Sequence, residues 1–121
     1  MADRIGLCIS SDLVDSGLAV SFDVAYQGLT CRAFAVRYQG QVHGYLNRCS
    51  HVAMEMDYQP DRFFDLTGHR LICATHGAMY QPDTGACVGG PCRGGLIKIT
   101  LDENEGVVHW HTADNLKSVE F

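Results

Sequence analysis

Two short stretches of this 121-residue chain place metal-ligating side chains close together: Cys49-Ser50-His51 and Cys73-Ala74-Thr75-His76. Each offers one thiolate and one imidazole, and 21 residues separate His51 from Cys73. Close spacing lets one loop present two donors to one site, and two such loops complete a set of four. Two thiolates and two imidazoles suit a [2Fe–2S] cluster with two Cys on one iron and two His on the other. They also satisfy a structural zinc ion, although zinc fingers usually pair Cys with Cys and His with His. Either motif alone is a weak signal. Both in order, followed by Gly77, an aromatic at Tyr80 and a Gly89-Gly90-Pro91 loop, make chance a poor explanation.

The elements that must position these loops read as β-strands. Leu18, Val20, Phe22 and Val24 alternate with Ala19, Ser21 and Asp23, the period of a half-buried strand. Ile5–Ser10 is a short half-apolar run. Cys31–Tyr38 passes through Phe34 and Val36, stops at Gln39-Gly40 and is followed at once by Val42–Leu46, which predicts a hairpin. Leu96–Leu101 reads as a further strand, Asp102–Gly106 as a polar turn and Val107–His111 as the return strand. The tail from Thr112 to Phe121 is expected to form one helical turn or to fray. No segment carries a long helical apolar stripe. Between Asn47 and Gly95 the chain is rich in Gly, Pro, Asp, Cys and His, and reads as loops with short strands near Leu71–Cys73 and Ala78–Gln81. Loops this long in a compact domain are usually functional, and a bound metal centre would order them.

Composition narrows the function classes. The length predicts one domain, 1–121, with a modest core. A net charge of −5 argues against nucleic acid, whose phosphates need clustered Lys and Arg. No run of about 18 apolar residues suggests a transmembrane helix, and the N-terminus does not read as a secretory signal. The expected location is therefore cytoplasmic. In a reducing compartment the six cysteines are metal ligands or inert core residues sooner than disulfides. Cys8 and Cys31 fall in strand patterns and read as small core residues.

At these residues the chain resembles the Rieske iron–sulfur family, and in particular its soluble ferredoxins of ring-hydroxylating dioxygenase systems. Asn47-Arg48-Cys49-Ser50-His51 is similar to the family's first cluster loop, and Cys73-Ala74-Thr75-His76-Gly77-Ala78-Met79-Tyr80 to its second. Gly89-Gly90-Pro91 is similar to the Pro loop that covers the cluster, with Gly85, Cys87, Cys92 and Gly94 continuing the pattern. The resemblance implies an all-β fold, an antiparallel sandwich or barrel carrying a small cluster-binding subdomain of loops and short strands at about 45–95. It implies that Cys49 and Cys73 hold the buried iron and His51 and His76 the outer one, supported by Tyr80 and Pro91. It explains Cys87 and Cys92, five apart around Gly-Gly-Pro, as structural thiols of the Pro loop sooner than as a disulfide. Two departures stand out. Ala53 and Met56 occupy positions where the family often has Gly and Leu, and the gap between motifs is long, suggesting an inserted excursion around Asp57–Gly68.

High-potential members of the family carry a Ser two residues after the second His, and an extra Cys near each motif. Here Ala78, Met54 and Thr75 stand in the comparable places, while the aromatic is kept as Tyr80. Neutral imidazoles in place of two thiolates raise the potential above that of four-Cys clusters. Within the Rieske range this chain is expected near the low end. The chain is too short for the additional two-His, one-carboxylate iron domain of a Rieske oxygenase. Nor does it carry a G-x-G-x-x-G dinucleotide motif. The implied role is therefore a one-electron carrier, an electron-transfer component sooner than a stand-alone catalyst. Its partners would be a reductase and a terminal oxygenase or related oxidoreductase. The alternatives are a permanently bound small Rieske subunit of a larger oxidoreductase, or a redox- or zinc-stabilised binding module.

Overall fold

A computed structural model of the chain describes residues 4–47, 61–65, 67–73, 77–90, 95–113 and 116–118. Eleven strands run through them: β1 (Arg4–Ile9), β2 (Val20–Tyr26), β3 (Leu29–Tyr38), β4 (Gln41–Leu46), β5 (Leu71–Ile72), β6 (Met79–Tyr80), β7 (Cys87–Gly89), β8 (Lys98–Ile99), β9 (Leu101–Asn104), β10 (Val107–His111) and β11 (Leu116–Ser118). Among the described residues the only helical element is a single 3-10 turn, Ser10–Asp12. The expected all-β class is what the chain adopts, with every strand-to-strand pairing antiparallel.

Three tight turns set most of the register. Gln27-Gly28, Gln39-Gly40 and Glu105-Gly106 each link two strands through exactly the two-residue connection that suits a twisted hairpin, and both residues of each pair have positive φ. The reading of Gln39-Gly40 as a hairpin therefore holds. Glu105-Gly106 narrows the expected polar turn: Asp102–Asn104 belongs to β9, pairing with Val107–His109 across the turn. The tail departs from expectation too. Leu116–Ser118 forms an edge strand on β2 and buries Leu116, because that apolar side chain finds a place beside Val24 and Trp110.

The strands form three sheets, in the orders β1-β10-β9, β11-β2-β3-β4-β8 and β5-β6-β7. β3 is central to the five-stranded sheet and is covered on both faces. Ala33 packs with Val24, Leu46, Ile99 and Trp110, and Ala35 with Leu13 and Val108. On the opposite face, Phe34 and Val36 pack with Tyr45, Phe63, Leu71, Cys73 and Tyr80. Small residues on one face and large ones on the other let β3 lie close to one neighbour while filling the space toward the other. Burial on both faces also explains why β3 reads as a nearly continuous apolar run.

The excursion between the two motifs, where it is described, is built into the core. Phe63 is fully buried and its ring stacks on Phe34, with centroids 3.7 Å apart. Phe64 pairs with Leu71, and the amide of Ile72 donates to the Phe63 carbonyl at 2.8 Å, so the segment forms a short hairpin arm beside β5. Its other end is fastened to the segment before β2: the Ala19 amide donates to the Asp61 carbonyl at 2.8 Å, and the Ser16 hydroxyl to the Gly68 carbonyl at 2.6 Å. Ser21 also donates to the Asp61 carboxylate. Truncating Phe63 removes a stacked ring from a site with little freedom to collapse. Phe63→Ala is expected to lower unfolding stability by about 3–5 kcal/mol, read as the midpoint shift in urea.

A part-buried arginine organises the opposite end. Arg37 donates to the Leu13 carbonyl at 2.8 Å, to the Ser10 and Gly40 carbonyls at 3.1 Å each, and to the Glu103 carboxylate at 2.5 Å. Arg37 holds the Glu103 carboxyl below the usual carboxylate range, and Arg4 does the same, aided by His111, for Asp102. A depressed carboxyl pKa contributes stability that is complete above the ordinary value and is lost as pH falls through the depressed one. The melting temperature is therefore expected to drop on acidification below about pH 4. Glu103→Gln should flatten part of that drop in a thermal-melt series from pH 7 to pH 3.

Candidate metal centre

The described part of the site begins with Cys73. It follows β5, is fully buried, and lies in one apolar cluster with Leu71, Ala78 and Tyr80. Two backbone hydrogen bonds close the segment that follows it. The Cys73 amide donates to the Ala78 carbonyl, and the Gly77 amide to the Cys73 carbonyl, both at 2.8 Å. The second motif is thus a closed loop between β5 and β6, its two ends held together by the strand pairing of Leu71 with Tyr80 and Ile72 with Met79. Cys73 and Tyr80 both belong to one buried apolar cluster.

The first motif follows β4. That strand ends at buried Leu46, and buried Asn47 comes next, its amide donating to the Arg32 carbonyl at 2.9 Å. Tyr45 ties the two loop regions together. Its ring is fully buried, its hydroxyl donates to the Pro82 carbonyl at 2.8 Å, and burial, assisted by Asp83, pushes its pKa well above the phenol range. The turn after β6 is thereby fixed to the strand that leads into the first motif. The only sequence signal for this role was an aromatic, Tyr45, within the Val42–Leu46 run, and an aromatic in a strand reads first as core.

β7 brings the third component. It pairs with β6 through Met79–Gly89 and Tyr80–Cys87, and it leads to Gly90. Gly90 has φ +76° and lies against the second motif: a Cβ there would come within 2.6 Å of the Gly77 carbonyl oxygen and 2.8 Å of the Ala78 Cα. Only a residue without a side chain permits this backbone-to-backbone approach. Gly90 is thus held directly against the Gly77–Ala78 end of the second motif.

Cys49, His51, His76 and Pro91 lie outside the described residues, as do Arg48, Ala53, Met54, Met56, Thr75, Cys92 and Arg93. Among the described residues no three His, Cys, Asp or Glu side chains surround a common cation position. The donor chemistry and the framework nevertheless fit a cluster. Buried Cys73 is joined by backbone hydrogen bonds to Gly77 and Ala78, and Gly90 lies against the backbone of that same pair. Two of the remaining histidines flank Asp102. His111 Nε2 lies 2.5 Å from an Asp102 carboxylate oxygen and His109 Nδ1 lies 3.2 Å from the other, while Trp110 between them is core.

Two cysteine readings come out differently. Cys8 and Cys31 are part-buried thiols packed against apolar clusters, as expected. Cys87 is disulfide-bonded, which corrects its reading as a reduced thiol. Spacing alone gave no means of choosing between the two states.

Comparison with known proteins places this framework. No curated protein sequence gives a significant match. Among solved structures, the Sphingomonas yanoikuyae B1 ferredoxin superposes with a TM-score of 0.71 at 21% identity, covering 92% of this chain and 100% of that one. The ferredoxin of carbazole 1,9a-dioxygenase from Nocardioides aromaticivorans IC177 gives 0.70 at 20% identity, covering 88% and 95%. The terminal oxygenase of carbazole 1,9a-dioxygenase from Novosphingobium sp. KA1 gives 0.68 at 20% identity, but only 29% of that chain is covered. At these identities the likeness establishes the fold. The description Rieske [2Fe-2S] domain matches residues 6–111, nearly the whole chain and both ligand motifs. The chain therefore belongs to the Rieske [2Fe-2S] domain family, and its cofactor is a [2Fe–2S] cluster of Rieske type.

Proposed function

We infer that the protein is a one-electron carrier whose cluster is held by Cys49, His51, Cys73 and His76, with Tyr80 and Pro91 supporting the ligands. The observation that carries this reading is the joint placement of buried Cys73, the closed Cys73–Ala78 loop and Gly90 lying on that loop. The cluster supplies a centre that gains and loses one electron. The chain's own residues do the rest. Cys73 is kept away from water in an apolar wall, the Gly77 and Ala78 backbone fixes the loop that carries His76, and Tyr45 holds the two loop regions in one relation.

The proposed route runs from a reductase to an oxygenase. Two solved structures of similar length are described as ferredoxins, one of them that of carbazole 1,9a-dioxygenase, and a third is a complex of reduced oxygenase and oxidized ferredoxin in carbazole 1,9a-dioxygenase. The chain spans nearly the full length of those ferredoxins but under a third of the oxygenases, which fits the carrier part of such a system. The thiols of Cys8 and Cys31 suit a cytoplasmic location. Among the described residues no helix is long and apolar enough to cross a membrane.

Purified protein should contain iron and acid-labile sulfide in equal amounts. Dithionite should reduce it, and added oxygenase should reoxidise it in stopped-flow mixing. A protein carrying stoichiometric zinc and no sulfide would overturn the reading. The potential is expected near or below zero by protein-film voltammetry, because Ala78 supplies no hydroxyl where high-potential members have a Ser. A value above about +200 mV, in the upper part of the Rieske range, would contradict it.

A further inference from the structure

One face of β4 meets the sheet that carries Cys73. His43 and Tyr45 lie two residues apart on that strand and so share a face. Residues paired across an antiparallel ladder also share a face, which adds Phe34 and Val36 from β3 and Lys98 from β8. The turn 81–86, which joins β6 to β7, closes over this face. Tyr45 donates to the Pro82 carbonyl at 2.8 Å, the Lys98 ammonium to the Asp83 carbonyl at 3.2 Å and the Leu96 amide to the Gly85 carbonyl at 2.8 Å. Gly85 is pressed so closely on the Tyr45 ring that a Cβ there would come within 2.8 Å of Cε1.

The charges at this seam are poorly compensated. Asp83 Oδ1 is buried and, among the described residues, accepts no hydrogen bond. A buried acceptor left unpaired is uncommon and calls for a reason. His43 is half-buried on the covered face. Burial, and after it the Lys98 ammonium, hold its pKa below the ordinary imidazole value, while the Asp83 carboxylate pulls the other way. Among the described residues Lys98 and Asp83 are the charged groups that act on it. Val36, across the ladder, is apolar, and burial keeps the Tyr45 phenol neutral. We propose that His43 is a positioning residue acting through this turn: neutral, it lets the turn close on the sheet, and protonated, it releases it, so that the hold on the second ligand loop weakens in mild acid. The inference rests on the reading of the second motif as a cluster loop.

Little chain separates the turn from the ligand loop. The turn follows β6 directly, and β6 is the two-residue strand that leaves the Cys73–Ala78 loop. A shift of the turn is therefore passed to that loop almost undamped. Protonation supplies the shift. A cation at His43 is half withdrawn from water and shares its face with Lys98, and both costs vanish when the turn lifts. Once lifted, His43 returns to the ordinary imidazole value, so the open form takes up the proton more readily than the closed one. The closed form is then favoured fully above about pH 6.5 and loses ground as pH falls below that value. Asp83 limits this effect without cancelling it, since the balance of the three influences is downward.

The test compares holoprotein with its His43→Gln and Lys98→Gln variants at about pH 7.5 and about pH 5.5, on either side of the ordinary imidazole value. Two rates are read: iron release to a chelator, and amide exchange of the 81–86 peptide corrected for its intrinsic pH dependence. Wild-type protein should show both rates several-fold faster at the lower pH. His43→Gln, which cannot take up the proton, should lose most of that acceleration. Lys98→Gln keeps a donor for the Asp83 carbonyl but removes the like charge, so it should lose part of it. Each protein is its own reference, so a stability loss common to both pH values leaves the comparison intact. Equal acceleration in wild type and His43→Gln would assign the acid response to other groups, the ligand histidines among them, and overturn the proposal. Protein without iron and sulfide would overturn the cluster reading instead. The exchange rates would still decide whether His43 governs the turn, so the two failures are distinguishable.

Discussion

Cys73→Ser is expected to give a protein that holds no [2Fe–2S] cluster. A serine hydroxyl is not deprotonated at neutral pH and is a far poorer soft-metal ligand than the thiolate it replaces. The change falls in the fully buried wall formed with Leu71, Ala78 and Tyr80. Because ligand binding and ordering of the ligand loops are one process, loss of the cluster also removes folding free energy. Iron and sulfide contents should fall to background, the visible colour should vanish, and the melting temperature should drop. Cys8→Ser and Cys31→Ser are the controls. Both residues pack against clusters remote from β5 and β6, so both proteins should stay coloured and lose only a little stability. A coloured Cys73→Ser protein with full iron content would remove Cys73 from the ligand set.

The second large effect is expected at Gly90. Alanine there meets two obstacles at once. Its backbone must keep φ +76°, and its Cβ would overlap the Gly77 carbonyl oxygen at 2.6 Å and the Ala78 Cα at 2.8 Å. Both contacts are backbone atoms of the second ligand loop, so neither can swing aside as a side chain would. Strain and overpacking together should cost about 3 kcal/mol or more. The covering loop should lift from the ligand loop, which lowers cluster retention as well as stability. Gly106→Ala separates the two causes. Gly106 has nearly the same φ, +77°, but a Cβ there meets nothing within 4 Å, so it should cost only about 1–2 kcal/mol of backbone strain. It should also leave the iron content unchanged. Urea melts and iron release to a chelator measure both variants. If Gly90→Ala behaves like Gly106→Ala, the close approach of the covering loop plays no part in holding the cluster.

Both experiments bear on a division that runs through the molecule. Features governed by near neighbours were legible in the chain. The alternation of Val20, Phe22 and Val24 gives a strand whatever lies across from it. Gln39-Gly40 turns the chain because glycine and its neighbour accept positive φ. The donors of Cys49-Ser50-His51 and Cys73-Ala74-Thr75-His76 have a chemistry that is written in side-chain type and spacing. Two further hairpin turns, Gln27-Gly28 and Glu105-Gly106, carried the same local signal.

Features governed by distant partners were not legible. Asp57–Gly68 read as an inserted excursion because the gap between the two motifs is long. Phe63 becomes a central core residue only because β3 presents Phe34 at stacking distance. The tail becomes β11 only because β2 leaves a free edge beside a niche for Leu116. The state of Cys87 depends on which sulfur the fold brings to it, and the need for glycine at position 90 depends on a backbone segment twelve or thirteen residues away. The sequence by itself determined the class of strands, the turn chemistry and the kind of metal centre, since each follows from a residue and its immediate neighbours. Only the tertiary structure decided which loops are locked together around that centre, because contacts between segments far apart in the chain leave no period or spacing to read.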